Sequence, residues 1–204
     1  LGPVTRTEHV RIAALLDDGT ALSFVDQRTF GGWMLTELVP DGSGAQVPAP
    51  VAHIARDPLD PGFDRDAVVN VLRHKHSEIK RQLLDQTVVS GIGNIYADEA
   101  LFRARLHPRR AAGSLKLVQS SALADAVKVS LEAGIDASGA TIDDFQHVDG
   151  ARGSYQYSFL VHRREGEPCP NCGTTVEKLV VAGRGTYVCK RCQPAPRSSS
   201  AKKR

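Results

Sequence analysis

Apolar and polar residues near the N-terminus alternate with the period of two that is typical of β-strands. Two alternating stretches, residues 9–15 and 21–25, flank a turn at Asp17–Thr20 whose glycine suits a tight bend. They predict a β-hairpin. The apolar run Trp33–Leu35 follows two glycines and predicts a further short strand, whereas residues 36–62 are rich in Pro, Gly and Asp and predict a long connection.

From residue 64 the apolar positions recur every three or four residues, as they do on one face of an α-helix. A first helix is predicted over residues 64–75, with an aspartate near its start, and Ser77 can cap a second helix that follows at once. A longer amphipathic helix is predicted over residues 114–133, with Ser114 as its cap and Gly134 as its end.

A glycine-containing turn separates the second helix from a third one, predicted over residues 95–102. Gly91 and Gly93 permit a close backbone approach, and Asn94 opens a helix whose free N–H groups can bind an anion such as a DNA phosphate. The alternative is that these glycines and the asparagine only shape and cap the turn. The residues by themselves leave both interpretations open.

The four cysteines of the chain form two Cys-x-x-Cys pairs, Cys169 with Cys172 and Cys189 with Cys192, separated by sixteen residues. This spacing is typical of a zinc site in which four thiolates surround one ion tetrahedrally. A closed four-sulfur site leaves no position for a substrate, so the predicted zinc is structural. Two disulfides are the alternative.

The segment around these cysteines reads as a small β-structure. Residues 155–161 alternate as a strand that leads to the first pair, and between the pairs residues 176–181 and 186–188 predict two strands joined by a turn at 182–185. The turn places Arg184 at the tip of a zinc-held hairpin. An arginine at such a tip can bind phosphate or simply be solvated.

Composition limits the possible classes of protein only mildly. The chain has 204 residues, 41% of them hydrophobic, and a formal net charge of +3, so it can bury a core but is not strongly basic. The sequence contains no apolar run of the length that crosses a membrane, and we predict no membrane partner. Paired cysteines that hold a metal suit a reducing compartment, which favours the cytoplasm.

Four ordered stretches resemble the motifs of formamidopyrimidine-DNA glycosylases. Residues 89–102 look like that family's helix–two-turn–helix signature, and residues 26–31 resemble its groove-filling loop. Residues 164–169 resemble the entry to its zinc finger, and residues 183–189 resemble the tip of that finger. The match runs in order along nearly the whole chain.

The resemblance implies roles for individual residues. Lys80 and Asn94 resemble phosphate-gripping residues of the helical module, and Arg184 resembles the finger arginine that grips phosphate beside the lesion. Arg28 and Phe30 match a wedge that enters the minor groove when the damaged nucleotide is turned out. An apolar ring can replace the lost stacking, and a guanidinium can hydrogen-bond the orphaned base. If the resemblance is set aside, the simpler interpretation of Phe30 is that it is a core residue.

The sequence also departs from the family. The family's chemistry depends on an N-terminal proline followed at once by glutamate and on a lysine of the same lobe, for which we find no counterpart. The methionine of the family's groove-filling wedge has no counterpart either. The sequence starts at Leu1, and the amide nitrogen of the internal Pro3 cannot attack a sugar carbon. Asp98 and Glu99 fit structural roles better than an acid–base role. We therefore assign no catalytic residue, and we expect this chain to bind DNA without excising a base or cleaving at an abasic site.

A second departure lies in the segment that should bind the flipped base, residues 146–155. There Ser154 stands where the family usually has tyrosine. The resemblance alone therefore does not assign lesion recognition to this loop.

Taken with the resemblance, the patterns predict an α+β protein. The predicted segments are residues 1–50, the remainder of a β-rich lobe with the groove-filling loop; 51–62, a linker; 63–153, a helix–two-turn–helix DNA-binding domain; 154–193, a zinc-finger hairpin; and 194–204, a basic disordered tail. We expect a cytoplasmic, nucleoid-associated monomer with one structural Zn²⁺ and double-stranded DNA, damaged or abasic, as its partner. A shortened repair enzyme, a complete non-catalytic paralogue and a zinc-ribbon transcription regulator stay open as alternatives.

Overall fold

The computed structural model describes residues 8–42, 44–141 and 152–196 of the chain. The chain divides into two compact units, Leu1–Ala52 and His53–Arg204. The first unit is built from short antiparallel strands, and the second combines helices with one further hairpin. This mixture confirms the predicted α+β class.

The first unit contains the predicted N-terminal hairpin. Strand β1 (Val10–Leu15) pairs antiparallel with β2 (Ala21–Val25), and Gly19 takes a φ of 85° in the turn between them. Residues of β1 alternate between half-buried and exposed, as the period of two requires. The predicted hairpin is therefore confirmed.

The rest of the first unit differs from the prediction. No strand forms at Trp33–Leu35, where the side chains are exposed. A second hairpin lies instead in the predicted connection, with β3 (Leu38–Pro40) paired to β4 (Gln46–Pro48). Each strand has only three residues and ends in proline, which donates no N–H to a ladder. A proline-rich composition usually indicates a loop, but a hairpin this short can include one proline at the end of each strand.

Four helices build the core of the second unit among its described residues: α1 (Arg65–Arg73), α2 (Ile79–Leu83), α3 (Asn94–Arg103) and α4 (Leu117–Asp136). Asp64 caps α1, because its carboxylate accepts the N–H of Ala67 at 2.9 Å. The helices share one apolar cluster, to which α2, α3 and α4 contribute the buried side chains of Ile79, Leu101 and Leu123. The segment before α1 packs on this cluster as well, through Leu59 and Phe63.

Helix α4 does not have its predicted ends. Ser114 lies in a short 3₁₀ turn, and α4 begins after Lys116, whose backbone N–H donates to the side-chain oxygen of Gln119 at 3.0 Å. At the other end the helix continues through Gly134, which is buried. A side chain at this position would collide with the ring of Tyr96. Gly134 is thus needed for helix packing and does not end the helix.

The predicted strand at 155–161 is also absent. Residues Tyr155–Ser158 form a 3₁₀ turn, and the next backbone N–H groups, of residues 160, 161 and 162, all donate to the carboxylate of Glu99 at 2.9–3.0 Å. A buried side chain on α3 therefore satisfies donors that a strand would have paired with a neighbouring strand.

The predicted C-terminal hairpin forms, with strand β5 (Glu177–Val181) antiparallel to β6 (Arg184–Val188), but its turn is shorter than the predicted 182–185 and β6 begins two residues before the predicted 186. Ala182 and Gly183 make the two-residue turn, both with positive φ, so Arg184 is the first residue of β6 and stands beside the turn. The small core of this finger includes Phe102 of α3. The finger is therefore packed onto the helices.

Within the part of the chain that the structure describes, no helix combines the length and the apolar character needed to cross a membrane.

Candidate nucleic-acid interface and zinc site

The four cysteines come together at the base of the finger. Their sulfur atoms all lie within 4.8 Å of one another, with Cys169 and Cys192 3.8 Å apart and Cys172 and Cys189 3.4 Å apart. A tetrahedral zinc with Zn–S bonds of about 2.3 Å separates its sulfurs by roughly 3.8 Å. The geometry therefore fits one Zn²⁺ with four thiolate ligands. All four cysteines are free, so the disulfide alternative does not apply.

Lys80 on α2 reaches the tip of the finger through the interior of the second unit. Its ammonium donates to Asp98 Oδ1 at 2.7 Å, to Thr186 Oγ1 at 2.7 Å and to the carbonyl of Gly185 at 3.3 Å. These bonds use all three N–H donors of the ammonium. Burial lowers the pKa of Lys80, and the neighbouring Asp98 carboxylate opposes that effect.

The position of Lys80 corrects its predicted role. The side chains of both Lys80 and Asp98 are 0% exposed, so the ammonium offers no surface to a phosphate in this structure. A direct phosphate contact would require breaking a buried ion pair. Lys80 instead ties the finger tip to the helices.

Asn94 begins α3 beside the same tip. Its side-chain amide donates to the carbonyl of Gly185 at 2.9 Å, whereas its buried Oδ1 lacks a hydrogen-bond partner among the described residues. Gly93 precedes the helix in extended conformation and is exposed. Gly91 has a φ of 77°, and its N–H donates to Gln86 Oε1 at 3.0 Å. The glycines therefore shape the turn, and the N-terminus of α3 meets the finger.

Arg184 lies next to this junction and is exposed. Its positive charge adds to the lowering of the Lys80 pKa that burial causes. The backbone carbonyl of Arg184 accepts a hydrogen bond from the hydroxyl of Thr186 at 3.1 Å. Of the three predicted phosphate contacts, Arg184 is thus the one whose charge faces solvent.

The carboxylates of α3 are fully engaged. Asp98 accepts from Lys80 and pairs with His162 Nδ1 at 2.8 Å, and Glu99 accepts three backbone N–H groups from the segment that follows the 3₁₀ turn. Both residues are buried. They hold the finger segment against α3.

The predicted groove-filling loop lies in the first unit, between β2 and the exposed apolar run. One carboxylate organises it: Asp26 accepts the N–H groups of Arg28, Thr29 and Gly31 at 3.0, 2.8 and 2.7 Å. These bonds, that of Gly31 most of all, lower the pKa of Asp26. Phe30 is 86% exposed, and the Arg28 guanidinium lies 5.7 Å from its ring centre. Phe30 is therefore not a core residue, and the wedge role of both residues stays a prediction.

Sequence reasoning missed several residues that fasten the finger. Thr186 and His162 are two of them. Gln193 is a third, because its side chain donates to the carbonyl of Leu106 at 2.9 Å and accepts the N–H of Cys189 at 3.1 Å. Only the full burial of a polar residue distinguishes them, and the sequence does not report burial. The predicted base-binding segment, 146–155, lies mostly outside the described residues, as does the tail beyond residue 196.

Comparisons with known proteins agree with this architecture. The pattern of the formamidopyrimidine-DNA glycosylase H2TH domain matches residues 54–146, and that of the zinc finger found in FPG and IleRS matches residues 166–195. The formamidopyrimidine-DNA glycosylase of Mycolicibacterium gilvum (strain PYR-GCK) is 57% identical over 198 residues, which cover 97% of this chain and 70% of that protein. The glycosylase of Mycobacterium avium (strain 104) is 55% identical over the same shares.

Solved structures give the same result. The MutM (Fpg) protein of Thermus thermophilus superposes with a TM-score of 0.76 at 37% identity, over 92% of this chain and 70% of that one. The Lactococcus lactis Fpg, solved with DNA that contains an abasic site, gives a TM-score of 0.77 at 30% identity, over 95% and 69%. The chain therefore belongs to the formamidopyrimidine-DNA glycosylase family of DNA-repair proteins.

Proposed function

We propose that this chain binds duplex DNA at damaged or abasic positions, with α3 and the finger tip acting together on the phosphate backbone. The observation that carries the proposal is the junction itself, where the N-terminus of α3, Asn94 and the exposed Arg184 meet. The Lactococcus lactis relative was solved on DNA with an abasic site, which supports the choice of ligand.

The electrostatics of the junction favour an anion. A helix N-terminus carries about half a positive charge, and the first N–H groups of α3 have no side-chain cap. The buried Asp98 carboxylate balances the charge of Lys80, whereas the guanidinium of Arg184 is exposed. Arg184 therefore presents a whole positive charge to solvent at this junction. A phosphate could accept hydrogen bonds from the N–H groups of the helix terminus and from the Arg184 guanidinium. The DNA backbone would then be held at two points.

We further propose that the loop carrying Arg28 and Phe30 enters the minor groove. Its Asp26 anchor holds the backbone, while the ring of Phe30 stays exposed without a place in a core. An exposed aromatic ring on an ordered loop can occupy the space that a turned-out nucleotide leaves. A DNA-binding role also implies a cytoplasmic, nucleoid-associated location in a bacterial cell.

The phosphate contact predicts that Arg184→Ala weakens duplex binding by roughly 1–3 kcal/mol, because it removes a charge-assisted hydrogen bond. Binding titrations over a range of salt concentrations should also show a slope flatter by about one unit, since one fewer phosphate is neutralised. Arg65→Ala is the matched control, because that arginine is already paired with Asp125 at 3.1 Å. Unchanged affinity together with an unchanged slope would remove Arg184 from the interface.

The wedge predicts that Phe30→Ala weakens binding to abasic DNA more than binding to intact DNA of the same sequence. The difference should be on the order of 1–3 kcal/mol, the range for stacking of an aromatic side chain on a base. Leu35→Ala serves as the control, because Leu35 is also a strongly exposed apolar side chain but lies outside the Asp26-anchored loop. An equal loss of affinity on both duplexes would argue against a wedge. Affinity that depends on base sequence more than on the abasic site would instead indicate a sequence-reading binder.

A further inference from the structure

We propose that Thr186 is a positioning residue for the DNA contact of Arg184, with the ammonium of Lys80 fixing the direction of its hydroxyl group. The inference rests on the proposed phosphate contact of Arg184. It assigns a task to a buried hydroxyl and to a buried lysine, neither of which can touch DNA in this structure.

The directions of the hydrogen bonds carry the argument. Lys80 Nζ lies 2.7 Å from Thr186 Oγ1, and an ammonium group can only donate. The hydroxyl must therefore act as the acceptor in that bond, which leaves its single proton free for another partner. That partner is the backbone carbonyl of Arg184, at 3.1 Å. The ammonium thus orients the hydroxyl toward the very residue that presents the exposed charge.

The ammonium is itself fixed from the helical side. Asp98 on α3 holds it at 2.7 Å, and its third bond goes to the carbonyl of Gly185. The carbonyl of Gly185 also accepts the amide of Asn94. The carbonyl of Gly185 is therefore tied directly to the helices, and the carbonyl of Arg184 is tied to them through the Thr186 hydroxyl and Lys80. The groups that make these bonds are fully or partly buried.

The hairpin needs such ties at this point. Residues 182–185 include two glycines, and Gly185 carries no side chain that could restrain its own backbone. Fixing the carbonyls of residues 184 and 185 fixes the direction in which the Arg184 side chain leaves β6. A guanidinium that is held in place before binding loses less conformational entropy when it meets a phosphate.

The test is a double-mutant cycle in the 204-residue zinc-loaded chain, with a duplex carrying one abasic site as the probe. Thr186→Val keeps the shape of the side chain and removes the hydroxyl, and Thr186→Ser restores the hydroxyl. We expect Thr186→Val to weaken binding by roughly two- to tenfold, the effect of one hydrogen bond, and Thr186→Ser to bind nearly as the parent does. In the Arg184→Ala background, Thr186→Val should have almost no further effect.

That coupling distinguishes positioning from a general contribution to stability, since a stability effect alone would persist without Arg184. Each variant is checked for its zinc content and its thermal unfolding. If Thr186→Val does not retain zinc, Thr186→Ala takes its place. Equal losses in both backgrounds, or parental binding by Thr186→Val, would overturn the inference. If Arg184→Ala alone binds as the parent does, the proposed phosphate contact fails first, which is a separate result.

Discussion

Removal of zinc is expected to unfold the finger and abolish the proposed DNA contact of Arg184, while the helical core stays folded. The finger has a very small core in which Cys169 and Cys189, two of the metal ligands, are themselves buried members. Structural zinc supplies about 10–16 kcal/mol to the folding of finger peptides, far more than the remaining side chains can replace. The helical cluster contains no finger residue, so it does not depend on the metal for its packing.

Metal analysis should find one zinc per chain. A chelator should remove this zinc, and the amides of β5 and β6 should then lose their protection against hydrogen exchange. Helical circular dichroism should fall only slightly. Cys189→Ser should lose the metal, whereas Asn171→Ala, an exposed change between two ligands, should keep it. A full zinc complement in Cys189→Ser, or finger amides that stay protected after chelation, would contradict the structural role of the metal.

The elements that could be predicted from the sequence are those specified by local chemistry. The Cys-x-x-Cys pairs indicate a metal site because the two-residue spacing lets one tight turn present both sulfurs to the same ion. Asp64 indicates the start of α1 because its side chain caps the first turn. The hairpin of β1 and β2 follows from alternation on either side of a glycine turn. In each case the decisive contacts join residues close together in the sequence.

Two of the failures involve contacts between distant residues. The 3₁₀ turn at Tyr155–Ser158 replaces a predicted strand because Glu99, far earlier in the chain, accepts the following backbone N–H groups. Gly134 was predicted to end α4, but it sits inside that helix against the ring of Tyr96. Such partners can be known only once the helices are packed together.

Lys80 shows the same limit for function. A lysine in a helix of a DNA-binding module is usually solvated and available to phosphate, and no local pattern marks this one as different. Its burial depends on Asp98, Thr186 and Gly185, two of which lie more than a hundred residues later in the sequence. The phosphate contacts of Asn94 and Arg184 stay predictions, and the structure places these two residues at one junction. The third predicted contact, Lys80, is buried.

The burial of Lys80 leads to the second large expected effect: Asp98→Ala should destabilise the chain by about 3–5 kcal/mol, because it leaves a buried ammonium without its counter-ion. Asp98 also holds His162, so the same change loosens the segment that leads into the finger. Urea unfolding with zinc present measures the free energy of unfolding. Glu132→Ala is the control. It breaks an exposed pair with Lys128 at 3.9 Å and should change stability by less than about 0.5 kcal/mol.

Replacing both members of the pair separates the cost of an unpaired charge from the value of the pair itself. Burial lowers the pKa of Lys80, which means that the charged form is held inside the protein at a cost that Asp98 only offsets in part. Lys80→Met combined with Asp98→Leu removes both charges and fills a similar volume. We expect the double variant to be more stable than Asp98→Ala, yet to bind DNA less tightly than the parent because the finger tip has lost its anchor. Strictly additive losses of stability would show that the two side chains do not act as a pair, and parental DNA affinity in the double variant would show that the anchor is unnecessary for presenting Arg184.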